Sequence, residues 1–321
     1  MKELCAEVKV YPRKTIPSFQ DIFLPYIVST RKSADLLKNI SNDKYPVLME
    51  GVHCSYLLQR GVFQDRKVLL RAHNVEFIYY RQLAEVERSF FKKLYFQIES
   101  RLLKRYEKRI ASLASVLCVS ELDRFEYHRC LGNSNALFLP VFTGFVPDPS
   151  IGLGKYALYH GNLSVNENSI AAEWLVNKVV HEDALLPLVI AGRNPPNSLR
   201  SLLNDRRNIK LVENPSEEEM EVLIRDAHIH LIPSVNSTGI KLKLLHALNK
   251  GRFVICNEAC SKGTGVESLC VQVSDEIEWE IAVQEFSTKE FTESMRSERV
   301  SFLSSVYNND RNADQLIRWI Y

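Results

Sequence analysis

The sequence has no apolar run long enough to span a bilayer and no basic-then-apolar leader at its start. It therefore offers neither a transmembrane helix nor a secretory signal. It also lacks a cysteine framework. Its seven cysteines are scattered, odd in number, and free of zinc-ligand or Cys-x-x-Cys spacing. This excludes a disulfide scaffold and a zinc ribbon, and fits reduced thiols in a cytoplasmic protein. An excess of one charge is missing too: 41 Lys and Arg face 39 Asp and Glu, for a formal net charge of +2. No global field points to nucleic acid. There is no internal repeat or low-complexity tract. No Gly-x-Gly-x-x-Gly follows a strand, which argues against a dinucleotide-dependent oxidoreductase. No Asp-x-Asp pair is available to hold a metal, so no metal or cofactor is expected.

What remains is ordinary soluble-protein material, 45% hydrophobic over 321 residues, enough for two domains. Short apolar runs alternate with helical patterns. The runs are Val8–Tyr11, Pro46–Met49, Lys67–Ala72, Val116–Val119 and Ala136–Leu139, then Tyr156–Tyr159, Pro187–Ala191, Asn208–Val212, His228–Ile232 and Arg252–Cys256. Such alternation predicts parallel sheets covered by helices on both faces. The Pro- and Gly-rich stretch near residues 144–154 reads as a linker. It separates a first domain, 1–143, from a second, 155–300. Residues 301–321 read as a C-terminal helix returning to the first domain. Ser216 followed by Glu219 predicts a capping box.

The longest helical pattern covers about 77–113, with Phe91, Leu94, Ile98, Leu102, Tyr106 and Ile110 as its apolar stripe and a break expected within it. Lys92, Lys93, Arg101, Lys104, Arg105, Lys108 and Arg109 occupy its other faces. A solvated surface explains them; contact with an anionic membrane surface is the alternative.

The most informative stretch is Ser234–Gly251. Leu242, Leu245 and Leu248 recur at helical spacing, and Gly251 stands where a helix would end. Lys241 and Lys243 fall in the first turn, where the macrodipole already disfavours cations. An anion near Gly239 would account for both. Two solvated lysines are the plain alternative. In open α/β sheets ligands bind beyond the carboxyl ends of the strands. The loops at His73, Gly161, Gly192 and Gly239 all lie there, so a cleft between the domains would gather them.

These residues resemble a known family. His160–Leu163, Ala172–Val176, Leu188–Pro195 and Gly239–Val254 look like the donor-binding half of family-4 retaining glycosyltransferases. Arg71–Glu76 with Tyr79 and Tyr80 resembles the acceptor-side loop. Within the family the chain looks closest to bacterial surface-polysaccharide transferases, some of them mannosyltransferases. The resemblance implies a GT-B fold, two Rossmann-like doubly wound domains facing a cleft. It implies a nucleotide-diphosphate sugar as donor and a glycan or lipid-linked acceptor, with cations rather than a metal holding the departing diphosphate. Carried over by position, Gly239, Lys241 and Lys243 bind diphosphate, and Gly161 and Asn162 face it. Arg193 follows the next strand. Thr238 and His246 stand where the family has paired glutamates, His246 at the nucleotide ribose. His73 lies near the transferred sugar and, with Lys243, forms the catalytic pair. Asn74 and Glu76 lie on the acceptor side.

Three departures qualify this. The paired glutamates are gone. The arginine usual after the first loop glycine is Asn162. The first domain lacks the opening strand, glycine-rich turn and helix, a piece of roughly 30 residues or more, so it is expected to be incomplete. A non-catalytic nucleotide- or glycan-binding relative is the main alternative. A same-fold epimerase would need converging acid and base carboxylates.

Overall fold

The computed structural model describes residues 4–16, 18–181, 183–204 and 206–321. Among these residues ten strands form two parallel sheets. The first holds β1 (Val47–Glu50), β2 (Val68–Ala72), β3 (Ser115–Cys118) and β4 (Leu137–Phe138) in that spatial order. The second holds β5 (Ala157–Asn162), β6 (Leu188–Arg193), β7 (Ile209–Glu213), β8 (Ile229–Ile232), β9 (Phe253–Cys256) and β10 (Val271–Gln272). Its order is β10-β9-β8-β5-β6-β7. Every pairing is parallel. Strands β2, β8 and β9 are buried along their whole length, as apolar runs covered on both faces must be. The β5–β8 neighbourhood is where the strand order of the second sheet reverses, the place where such sheets bind ligands.

Val8–Tyr11 forms no strand, contrary to expectation. It pairs with neither sheet, and Lys9 spends its charge on Glu7 at the surface. The long helix is two, Glu76–Val86 and Phe90–Ile110, because Glu87 and Ser89 take extended backbone. The expected stripe holds only in its second half. Glu99, Leu103, Tyr106, Glu107 and Ile110 are buried, whereas Phe91, Leu94 and Ile98 face solvent. The capping box forms as expected: Ser216 N–H donates to Glu219 at 2.7 Å, and Glu219 N–H to Ser216 Oγ at 3.1 Å.

At the C-terminus, Leu316, Trp319 and Ile320 of the Asn309–Ile320 helix pack on Leu69 and Leu117 of the first sheet and on Leu139 just after β4. Asn309 fastens that helix to the connecting segment through two hydrogen bonds with the Thr143 backbone. The domains also meet directly. Gln82 exchanges hydrogen bonds of 2.8 and 3.2 Å with Ser237, and Glu121 N–H donates to the Gly263 carbonyl at 2.8 Å.

Candidate functional site

Two adjoining cavities lie at the carboxyl ends of β5, β6 and β8 and share Gly161 and Asn162. The interdomain cleft, about 560 Å³, is lined on the second domain by Asn168, Thr238, Lys241 and Lys243. Its opposite wall carries Arg31, His53, Asn74, Glu76, Tyr79 and Tyr80. The second cavity, about 430 Å³, is walled by His160, Arg193, Ser216, Met220, Glu221 and His246.

The Leu242–Lys250 helix presents its N-terminus to the cleft. Leu244, Leu245, Ala247 and Leu248 anchor it against Ile232, Val254 and Leu303. Lys241 is the N-cap, with no side-chain cap of its own. Free N–H groups and the positive dipole end therefore point at the same space as the two lysines. Lys241 Nζ donates to the Thr238 carbonyl at 2.6 Å. Lys243 Nζ reaches Asn168 Oδ1 at 3.1 Å and Tyr159 Oη at 3.3 Å, and lies 4.7 Å from the Tyr159 ring centre. Burial lowers both lysine pKa values, and each lysine is only half-exposed. Among the described residues neither has a carboxylate within ion-pair reach. Two partly desolvated ammonium groups beside a helix N-terminus are an arrangement whose charge an anion would balance.

Gly239 departs from its expected role. Its N–H donates to Asp123 Oδ2 at 2.9 Å, across the domain boundary. Its φ is +67°, and an added Cβ would meet Asn74 Oδ1 at 2.2 Å and the His73 carbonyl at 2.5 Å. The residue must be glycine because the two loops touch there, and its amide is committed to a carboxylate instead of a phosphate. Thr238 turns inward, with its N–H and hydroxyl both on Asn236 Oδ1. Arg193 is exposed at the mouth of the second cavity. His73 does not line the cleft. Its ring turns to Glu50, 3.0 Å away, and His53 occupies the wall instead. Asn74 and Glu76 do face the cleft. Burial pushes the Glu76 carboxyl up to about 7.

His246 stands in the second cavity, stacked on Phe145 at 4.5 Å, with Nε2 2.6 Å from Glu221 Oε1. Glu221, on the capping-box helix Glu217–Asp226, had no sequence signal beyond that helix's periodicity. It brings a carboxylate to the cavity where position 246 lacks one. His160 and His230 are buried edge-to-face at 6.2 Å, with no hydrogen-bond partner for their ring nitrogens among the described residues. Burial lowers the pKa of both, that of His230 to about 3. His228 has a structural role, with both ring nitrogens on the backbone of Gly154 and Phe286. No cluster of metal-ligating side chains occurs among the described residues.

Asp123 is fully buried, and its Oδ1 has no hydrogen-bond partner among the described residues. Burial raises its carboxyl to about 6. A carboxyl raised in the fold binds its proton more tightly there than in the unfolded chain. Stability is then lost as pH climbs from about 4 to 6. Asp123→Asn, which keeps an acceptor for Gly239, is expected to raise Tm at pH 8 and leave it unchanged at pH 4. Melting curves at the two pH values check this.

Residues 154–289 match the family model described as "Glycosyl transferases group 1". A Klebsiella pneumoniae protein named "Uncharacterized 44.6 kDa protein in cps region" is 31% identical over 265 residues, covering 77% of this chain and 66% of its own length. Sucrose-phosphate synthase from Thermosynechococcus elongatus superposes with a TM-score of 0.67 at 16% identity, over 95% of this chain and 79% of that one. S. aureus TarM, solved with Fondaparinux, alpha-GlcNAc-glycerol and UDP, gives 0.61 at 10% identity, over 85% of this chain and 55% of its own. The chain thus spans just under two thirds of the Klebsiella relative and about half of TarM. The chain has the GT-B fold, and its residues 154–289 are similar to the glycosyl transferases group 1 family.

Proposed function

We propose that the protein transfers a sugar from a nucleotide-diphosphate sugar to a glycan or lipid-linked acceptor, with retention, in bacterial surface-polysaccharide assembly. The observation that carries this is the pair Lys241 and Lys243: half-buried ammonium groups without carboxylate partners, at an uncapped helix N-terminus, facing the interdomain cleft. When the bond to the anomeric carbon breaks, negative charge grows on the diphosphate. Cations already held in place stabilise that charge without reorganising. The nucleoside would lie in the adjoining cavity, with Arg193 at its mouth and Glu221 and His246 on the ribose. Asn74 and Glu76 would face the acceptor. A mannosyl donor is one member of this class.

The Klebsiella relative's cps region supports the polysaccharide setting, and the UDP in the TarM structure makes UDP the first nucleotide to try. No helix among the described residues is long and apolar enough to cross a membrane. Phe90 and Phe91, 72% and 81% exposed beside Lys92 and Lys93, favour peripheral contact with the inner membrane face.

The test is a thermal-shift screen against UDP, GDP and CMP followed by sugar-nucleotide turnover. A ligand bound only by the native state raises Tm. Absence of any nucleotide shift would reject the reading, and binding without turnover would favour the non-catalytic alternative.

Glu221→Ala is expected to weaken nucleoside-diphosphate binding about tenfold, since a charged hydrogen bond contributes about 1.5–3 kcal/mol. It should also erase any preference for ribose over 2′-deoxyribose. Calorimetric titration with paired nucleotides checks both.

A further inference from the structure

The first domain's wall of the cleft holds a second cluster of basic side chains that the leaving-group chemistry does not use. Arg31 follows the Tyr26–Ser29 turn, and its Nη1 is anchored on the Ile27 carbonyl at 2.7 Å. His53 lies just past β1. Its ring folds over Gly51, whose φ of +93° leaves no room for a Cβ: one would stand 2.5 Å from the ring. Arg13 is close behind, its Nε on Thr30 Oγ1 at 3.2 Å. Among the described residues none of Arg13, Arg31 and His53 has a carboxylate in ion-pair reach. The neighbouring Glu50 is shared by His73 at 3.0 Å and Arg71 at 3.6 Å. Glu76, the other acid nearby, is raised to about 7 by burial and so is only partly charged at neutral pH. Burial, Arg31, His73 and Arg13 together lower His53 to about 4.

We infer that Arg31 and His53 form a phosphate-binding subsite for the acceptor, separate from the diphosphate site at Lys241 and Lys243 in the same cleft. This rests on the glycosyl-transfer reading and narrows the acceptor to one bearing a phosphate. Arg31 has guanidinium N–H groups left over from its single backbone bond, arranged to meet two phosphate oxygens. His53 adds one ring N–H. Arg31 and Arg13 repel one another, and an anion beside Arg31 would relieve that repulsion. The phosphate could belong to a soluble sugar phosphate or to a polyprenyl-phosphate carrier; the chemistry recognised is the same.

The experiment follows the His53 ring resonance by NMR in the full chain, with the stabilising nucleotide present at saturation, while inorganic phosphate is added. A saturable shift is expected. Arg31→Gln should weaken it at least about fivefold, and Lys243→Ala should leave it unchanged. An unmoved His53, or equal shifts in wild type and Arg31→Gln, overturns the subsite. Competition by a hexose 6-phosphate and by detergent-solubilised farnesyl phosphate then separates the two sources. Failure of both to bind more tightly than inorganic phosphate overturns the acceptor assignment. If no nucleotide binds, the glycosyl-transfer reading falls, yet the phosphate titration still reports on the subsite.

Discussion

Lys243→Ala is expected to lower turnover of the nucleotide sugar at least about tenfold, and about 100-fold if the lysine acts as a full leaving-group donor. The fold should hardly notice. The lysine's partners are neutral, the Tyr159 hydroxyl and ring and the Asn168 side-chain oxygen. Their loss is offset by removing a partly desolvated charge without a counter-ion, so Tm should move by only a few degrees. The division between kcat and affinity is informative. Charge on the diphosphate grows as the bond breaks, so kcat should fall more than nucleoside-diphosphate affinity. Steady-state turnover beside calorimetric affinity measures this. Normal turnover in the mutant would remove Lys243 from the mechanism.

The lysine pair was legible because it violates a local rule: cations at the positive end of a helix dipole need a reason. The sheets were legible because buried parallel strands are nearly unbroken apolar runs, as at Leu188–Ala191 and Phe253–Cys256. The misses share another cause. The Gly239 N–H meets Asp123, and His53 rather than His73 lines the cleft wall, through contacts between residues far apart in the chain. Glu221 reaches His246 across 25 positions. No periodicity records which helix face meets which neighbour once two domains close. Val8–Tyr11 failed for the same reason in reverse: a strand needs a partner, and neither sheet of the described residues takes it in.

Glu107→Ala is expected to produce the largest stability loss. Glu107 is fully buried on the Phe90–Ile110 helix. Its carboxyl oxygens accept the Glu76 N–H at 3.0 Å, the Phe77 N–H at 2.8 Å and the Tyr127 hydroxyl at 3.2 Å. It thereby caps the Glu76–Val86 helix, whose own N-cap, Val75, has no side-chain oxygen to offer. Truncation strands three buried donors and opens a cavity, together about 3–5 kcal/mol, or roughly 10 °C in Tm for a chain of this size. Because that helix carries Tyr79 and Tyr80 into the cleft, activity should fall with it. Glu107→Gln should behave differently. Burial, with Glu76 nearby, pushes the Glu107 carboxyl up to about 8, so at pH 7 it is mostly neutral; the amide matches its charge and size and keeps one accepting oxygen, but sets its NH2 against one of the two backbone donors. A carboxyl raised in the fold contributes a stability that is complete below about 4.5 and drains away as pH rises toward 8. Between pH 5 and 8 wild type should therefore lose stability, and the Gln variant should lose less. Denaturant unfolding of both proteins across that range decides the matter: parallel pH slopes would mean that Glu107 is ionised in the fold and caps the helix as a carboxylate.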